Sequence, residues 1–255
     1  MLRKRIAPRG LFVTGTDTEV GKTVVASAIA ATLAALGERV SVFKPAVTGL
    51  DDLDDLEADH LRLRASARSA QSPEEVAPYC FGPAVSPHLA AAAVGEHIDP
   101  HRLLETARRA AGAGDVLVAE GVGGLLVPLS DGYLVRDLAA DLGMPIVIAA
   151  RPGLGTISHT LMTIECARVA GLEVAGVVLT PWPAQAGEME HSNRETIARC
   201  GHVGVETLPA LAVRNIGPQP HLPLERWLIR RASPDVPAVS ALEGQETLPP
   251  VRRAA

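Results

Sequence analysis

Six short runs of consecutive apolar residues punctuate the chain, at positions 11–14, 40–43, 116–119, 145–149, 174–179 and 203–208. Between them lie stretches that read as helices, at 23–36, 100–111, 134–142, 156–170 and 188–199. A strand that is apolar at consecutive positions, rather than at alternate ones, is buried on both faces. Alternating such strands with helices predicts an α/β fold: a single-domain, mostly parallel twisted sheet flanked by helices. Ligands of such sheets bind beyond the carboxyl ends of the strands, so chemistry is expected in the loops that follow each run. The pattern assigns residues 10–232 to the domain and leaves a ragged N-terminal tail at 1–9. From 233 to 255 Pro, Ser, Glu and Arg dominate without periodicity, which predicts a flexible C-terminal tail.

The first run leads into Gly15-Thr16-Asp17-Thr18-Glu19-Val20-Gly21-Lys22-Thr23 and then into an apolar helix closed by Gly37. Strand, glycine loop, Gly-Lys-Thr and helix, in that order, make a phosphate cradle. Backbone N–H groups and the helix N-terminus face the anion, Lys22 reaches the outer phosphates, and the Thr23 hydroxyl ligates Mg²⁺. Five residues separate Gly15 from Gly21, one more than the strict G-x-x-x-x-G-K-[ST] spacing has. This is a variant P-loop.

Composition sharpens the picture at one point. Only three of the 24 basic residues are lysine: Lys4 in the tail, Lys22 in the loop, and Lys44. Lys44 ends the second run, in front of Pro45, where the ligand crevice of a parallel sheet is expected. An ordinary surface lysine is the plain alternative, yet the other 21 cations of this chain are arginine. Lysine supplies a compact ammonium suited to close contact with a small reacting anion. Six acids follow among residues 51–59, most of them read as a solvated loop, with one near the end able to complete a Mg²⁺ shell. The third run ends in Glu120, followed by Gly121-Val122-Gly123-Gly124. An acid closing a buried strand is costly unless it binds something, and its type fits the metal- or water-binding acid of a P-loop enzyme. Capping a turn is the plain alternative.

The remaining composition excludes partners. A net charge of −5 without a basic cluster argues against nucleic acid. No apolar run is long enough to cross a membrane, and the basic start leads into a strand rather than a signal-peptide core. Cys80, Cys166 and Cys200 form neither a disulfide framework nor a metal site, which predicts reduced thiols and a cytoplasmic location.

Four segments, GTDTEVGKT, KPAVTG, EGVGGLLVPLSD and LGTISHTLMT, together resemble the dethiobiotin synthetase family of biotin synthesis, over residues 11–211. The stretch from Cys80-Phe81 through Ser86-Pro87-His88-Leu89-Ala90 is similar to the family's SPH loop. The resemblance implies an ATP- and Mg²⁺-dependent ring closure, with 7,8-diaminononanoate and CO₂ as the other substrates. One amine takes up CO₂ as a carbamate. The carbamate attacks the γ-phosphate to give a carbamic–phosphoric anhydride, and the second amine closes the ureido ring. On this resemblance Lys22, Lys44, Thr18 and Glu19 serve catalysis, while Thr23, Asp59 and Glu120 hold the metal. Val20, Gly21, Val24, Gly121, Val122 and Gly123 would complete the nucleotide site. Thr48 would hold the carbamate or amine end, and Gly155, Thr156 and Ser158 the substrate's carboxylate. The resemblance also implies a homodimer with the substrate site at the subunit interface.

Two departures from the family pattern stand out. In the substrate-tail loop, Ile157-Ser158-His159 replaces the usual Ile-Asn-His. At the base, Thr180-Pro181 replaces the usual asparagine that reads the adenine edge, and Pro209-Ala210-Leu211 lacks the usual bulky aromatic. Other nucleoside triphosphates than ATP therefore stay open. The alternative reading is a partition- or septum-type ATPase acting as a nucleotide switch. Its second lysine early in the loop is absent from Gly15-Thr16-Asp17.

Overall fold

In the computed structural model, which describes residues 8–52, 58–212 and 216–229, all six apolar runs form strands of one sheet. These are β1 (Gly10–Gly15), β2 (Val40–Phe43), β3 (Val116–Gly124), β6 (Ile146–Ala150), β7 (Val174–Trp182) and β8 (Val205–Pro209). Every pairing among them is parallel, in the order β2-β3-β1-β6-β7-β8. The five expected helices are α1 (Lys22–Ala35), α5 (Pro100–Ala113), α6 (Val135–Leu142), α7 (Thr156–Val169) and α8 (Glu188–Gly201). Shorter elements fill the connections: α2 (Asp59–Ser66), α3 (Pro73–Val76), α4 (Pro87–Ala93), a hairpin of β4 (Pro128–Ser130) and β5 (Tyr133–Leu134), and α9 (Leu224–Leu228). The tails at 1–7 and 233–255, and Asp54, Asp55 and Glu57 of the acid run, lie outside the described residues.

The sheet divides an aliphatic core into two layers. On β1, Phe12 joins Leu103 of α5 and Leu138 of α6, while Leu11 and Val13 face Val25, Ile29 and Leu33 of α1. Helix α1 is apolar around most of its circumference, and the structure shows why. The sheet lies on one side of it and α2 on another, and the Gln219 amide of the segment before α9 donates to the Thr32 hydroxyl at 2.7 Å. A helix covered on both sides needs no polar stripe.

Topology places the crevice. From β1 the chain runs out to β2, returns to β3, and then crosses to β6 on the other side of β1. The carboxyl ends of β3, β1 and β6 therefore flank the point where the winding reverses, the expected ligand position. Pairing register does the rest. Phe43 stands opposite Ala119, so Lys44, just past the end of β2, lies level with Glu120. Glu120 does not end its strand as the sequence suggested but sits inside β3, opposite Val13 of β1. Among the described residues no helix is long and apolar enough to cross a membrane, and all three cysteines are free.

Candidate active site

The loop between β1 and α1 is closed tightly around its own backbone. Lys22 Nζ donates to the Asp17 carbonyl at 2.7 Å, and the Thr18 amide donates to the Asp17 carboxylate at 2.7 Å. The Thr16 amide donates to the Ala149 carbonyl of β6 at 3.1 Å, tying the loop to the neighbouring strand. Gly21, directly before α1, has φ +88°, and a Cβ there would stand 2.6 Å from the Thr180 methyl. Only glycine meets both requirements. Glu19 holds a left-handed conformation without being glycine, at φ +56°. Such a backbone costs ~1–3 kcal/mol and persists where the surroundings impose it, most often at ligand sites.

Beside the loop, two polar side chains converge on one carboxylate, and a second carboxylate flanks the lysine. Lys44 Nζ donates to Glu120 Oε1 at 2.5 Å, and Thr23 Oγ1 donates to the same oxygen at 2.8 Å. Asp59, the first residue of α2, places Oδ2 3.2 Å from Lys44 Nζ. The Lys44 and Glu120 side chains are 4% and 0% exposed. Burying an ion pair costs more in desolvation than an apolar pair of the same volume, so stability does not explain this one. The second oxygen, Glu120 Oε2, is buried without a hydrogen-bond partner. A buried acceptor left unpaired is destabilising by ~1–3 kcal/mol, and a charged one by more.

That orphaned oxygen bears on the implied Mg²⁺. Thr23, Asp59 and Glu120 supply hard oxygen donors, the chemistry Mg²⁺ requires. The described residues contain no group of three or more His, Cys, Asp or Glu suited to a metal. Two carboxylates and a hydroxyl nonetheless suffice for an ion that takes the rest of its shell from phosphate and water. The donor set fits the group.

The charges are set by burial and proximity. Burial pulls the Lys44 ammonium down, but Glu120 and then Asp59 outweigh it and hold the group above the ordinary lysine range. Burial pushes Asp59 up, and Lys44 reverses the direction to leave it below the usual carboxylate range. Burial raises Glu120, with Asp59 adding to the shift and Lys44 opposing it. Lys22 is lowered to about 8, chiefly by burial, with Glu120 opposing and the nearby Lys44 charge contributing.

Lys22, Thr23, Lys44, Asp59 and Glu120 thus form one cluster. A family model described as an AAA domain matches residues 9–214. The ATP-dependent dethiobiotin synthetase BioD of Anaeromyxobacter dehalogenans (strain 2CP-C) is 41% identical over 194 residues, 76% of this chain and 86% of that protein. The protein of the same name from Bacillus subtilis (strain 168) is 36% identical over 205 residues, 80% of this chain and 88% of that one. The chain belongs to the dethiobiotin synthetase family. It is an enzyme, an ATP-dependent ligase. A ParA family ATPase of Chlorobium tepidum TLS has a solved structure with a TM-score of 0.50 at 13% identity, covering 80% of this chain and 86% of that one. Its likeness extends to the P-loop fold alone, which the partition-type alternative shares.

For a dethiobiotin synthetase, the remaining expected residues fall into three groups. Val20 and Val24 lie on the loop and first helical turn, and Val122 and Gly123 follow Glu120 on β3 beside the end of β1. Gly121 stands apart, because a Cβ there would meet Phe12 and Val135 at 3.1 and 3.0 Å. Its missing side chain makes room for packing. At the far side of the crevice, register pairs Trp182 with Pro209, which sets Thr180, Pro181 and the loop at Pro209, Ala210 and Leu211 on adjacent strand ends. Thr180 is buried with its methyl towards Gly21, and Trp182 meets His191 edge-on with ring centroids 5.6 Å apart. The third group is not joined to the cluster. Among the described residues, no hydrogen bond or ion pair links Thr48, Gly155, Thr156 or Ser158 to Lys22 or Lys44. Thr48 follows the bridge between Val47 and Cys80, and the Thr156 hydroxyl lies 3.4 Å from that of Thr160.

One residue near the loop escaped the sequence reading. Arg151, the first residue after β6, donates from one terminal nitrogen to the Thr18 carbonyl at 3.3 Å and the Glu19 carbonyl at 3.4 Å. Its only sequence signal was its place directly after a strand.

Proposed function

We propose that the protein closes the ureido ring of dethiobiotin from 7,8-diaminononanoate, CO₂ and ATP. The observation that carries this reading is the buried lysine between two carboxylates beside a P-loop, in a chain whose relatives are named for that product. The first amine adds to CO₂ and loses a proton, giving a carbamate. A carbamate oxygen then attacks the γ-phosphorus, and ADP leaves. Attack of the second amine on the carbonyl carbon expels phosphate and closes the ring.

The difficult step brings two anions together. Lys22 and Lys44, entering from two strand ends, neutralise carbamate and phosphate as they approach, and stabilise charge on the transferring phosphoryl group. Lys44 acts as an ammonium held protonated by Glu120 and Asp59, so it offers a fixed positive charge rather than a proton acceptor. Thr23, Asp59 and Glu120 would hold Mg²⁺, which would add charge neutralisation at the phosphates. Thr18 and Glu19 position the amine end, and Thr48 hydrogen-bonds the carbamate. Backbone N–H groups at the start of α7, around Gly155, Thr156 and Ser158, receive the substrate's carboxylate.

The substrate site is taken to lie between two subunits, as in the family the chain resembles. Leu154 at 94% exposure, with Met162 and Leu126, gives this side apolar residues for a homodimer to cover. Sedimentation under assay conditions is expected to show a dimer, and an active monomer would contradict it. The function itself is tested with diaminononanoate, bicarbonate, Mg²⁺ and each nucleoside triphosphate in turn. Dethiobiotin is expected with equimolar phosphate release. No ureido product with any nucleotide overturns the reading. The spread across nucleotides reports what Thr180 and Ala210 do at the base.

A further inference from the structure

We propose that Arg151 is a positioning residue for the nucleotide, fixing the outer side of an anion-binding turn in the P-loop. The Thr18 carbonyl and the Glu19 amide belong to one peptide unit, and the Glu19 carbonyl and the Val20 amide belong to the next. In a trans peptide C=O and N–H point in opposite directions. A guanidinium that collects both carbonyls on one side therefore aims both N–H groups to the other. Successive amides on the same side make a concave nest for an anion, and the left-handed Glu19 is the backbone state that such a nest needs. The loop has one residue more between its glycines than the strict motif, and Glu19 lies within that stretch.

Three contacts hold the turn in this shape. Lys22 takes the Asp17 carbonyl, Arg151 takes the two that follow, and the Thr16 amide is tied to Ala149 two residues before Arg151. The end of β6 thus braces the loop through its backbone and through one side chain. Arg151 bonds only the carbonyl side of these peptides and acts through the amides of Glu19 and Val20. This assignment rests on the reading of the loop as a nucleotide site and not on the ring-closing reaction.

The test compares wild type with Arg151→Gln and Arg151→Lys, using ADP binding by calorimetry and steady-state kinetics. ADP affinity and KM for ATP are expected to worsen about tenfold in Arg151→Gln, with kcat within about threefold and KM for the diamine unchanged. Arg151→Lys recovers part of the loss, since an ammonium can still serve a carbonyl. The melting temperature without nucleotide stays the same, while the increase induced by ADP shrinks, which a purely structural role would not produce. ADP affinity and KM for ATP within twofold of wild type would overturn the proposal, as would a loss confined to the diamine KM. If wild type made no dethiobiotin, the ring-closing reading would fail, and the ADP measurement would still decide the role of Arg151.

Discussion

The same two strands, β2 and β3, are joined by an ion pair at each end, and the two pairs could hardly differ more. At the amino end Arg39 grips Asp115 through two nitrogens, at 2.7 and 3.1 Å, with side chains 73% and 38% exposed. Five residues further along both strands, Lys44 meets Glu120 with almost no exposure. In the exposed pair both Asp115 oxygens accept from the guanidinium, in fork geometry, and the pair contributes little because water competes for both charges. The buried pair leaves Glu120 Oε2 without a partner and gathers Thr23 and Asp59 around it. One end of the strand pair is an exposed bidentate pair, and the other keeps a buried oxygen unpaired. Cavity volume alone points the wrong way: a hollow of about 550 Å³ opens at the amino end, around Arg39, Gln71 and Arg109, where no charge is buried without its partner.

If that contrast is functional, substitutions at the two ends must separate. Glu120→Gln gives the largest effect, a loss in kcat/KM of about 10³-fold or more, because it removes a charge that holds Lys44 and a ligand oxygen for the metal at once. Steady-state assays over a range of Mg²⁺ concentrations check it, and a loss repaired by high Mg²⁺ would assign Glu120 to metal binding alone. Weakening of ATP binding with pH comes next. Lys22 titrates near 8 in the free protein, and phosphate binds its charged form. Affinity is therefore full below that pH and falls as pH rises through it, by up to about tenfold per unit. Calorimetry in buffers of different ionisation enthalpy should show proton uptake on binding between pH 8 and 9. For stability the sign is opposite, since the unfolded lysine keeps its proton up to its ordinary value of 10.5. This group thus makes the ligand-free protein more stable as pH rises from about 8 towards that value. The smallest effect belongs to the amino end. Arg39→Lys is expected to leave turnover and melting temperature unchanged, and a marked fall in either would break the comparison.

How much of this was legible in the sequence depended on the range of the interaction. Strands declared themselves because a two-sided buried strand must be apolar throughout, and β2 spans the same four residues in both readings. Glu120 was conspicuous because an acid has no ordinary reason to lie in such a strand, although β3 runs on past it to Gly124. Helix α1 was recognisable, but its distant partner was not, since Gln219, which donates to the Thr32 hydroxyl, lies 187 residues further on. Gly121 was read as a ligand-facing glycine, and only the rings and methyls around it show that it yields to Phe12 and Val135. Arg151 was missed for the same reason as Gln219. Its partners lie 133 and 132 residues away, and nothing local marks an arginine that donates to backbone carbonyls. The site shows most in sequence where chemistry goes against a local preference, and least where a side chain merely braces a loop.

The central claim is that the buried end of this strand pair requires lysine specifically. Between Glu120 and Asp59, at 2.5 and 3.2 Å, there is room for a compact ammonium and not for a planar guanidinium with a longer reach. The direct measurement is kcat for Lys44→Arg at saturating ATP, diamine and Mg²⁺, together with its melting temperature. The account predicts a fall of about 10²-fold or more in a protein that still folds and still binds ADP. Turnover within a few-fold of wild type would show that positive charge alone suffices at this position, and would contradict the account.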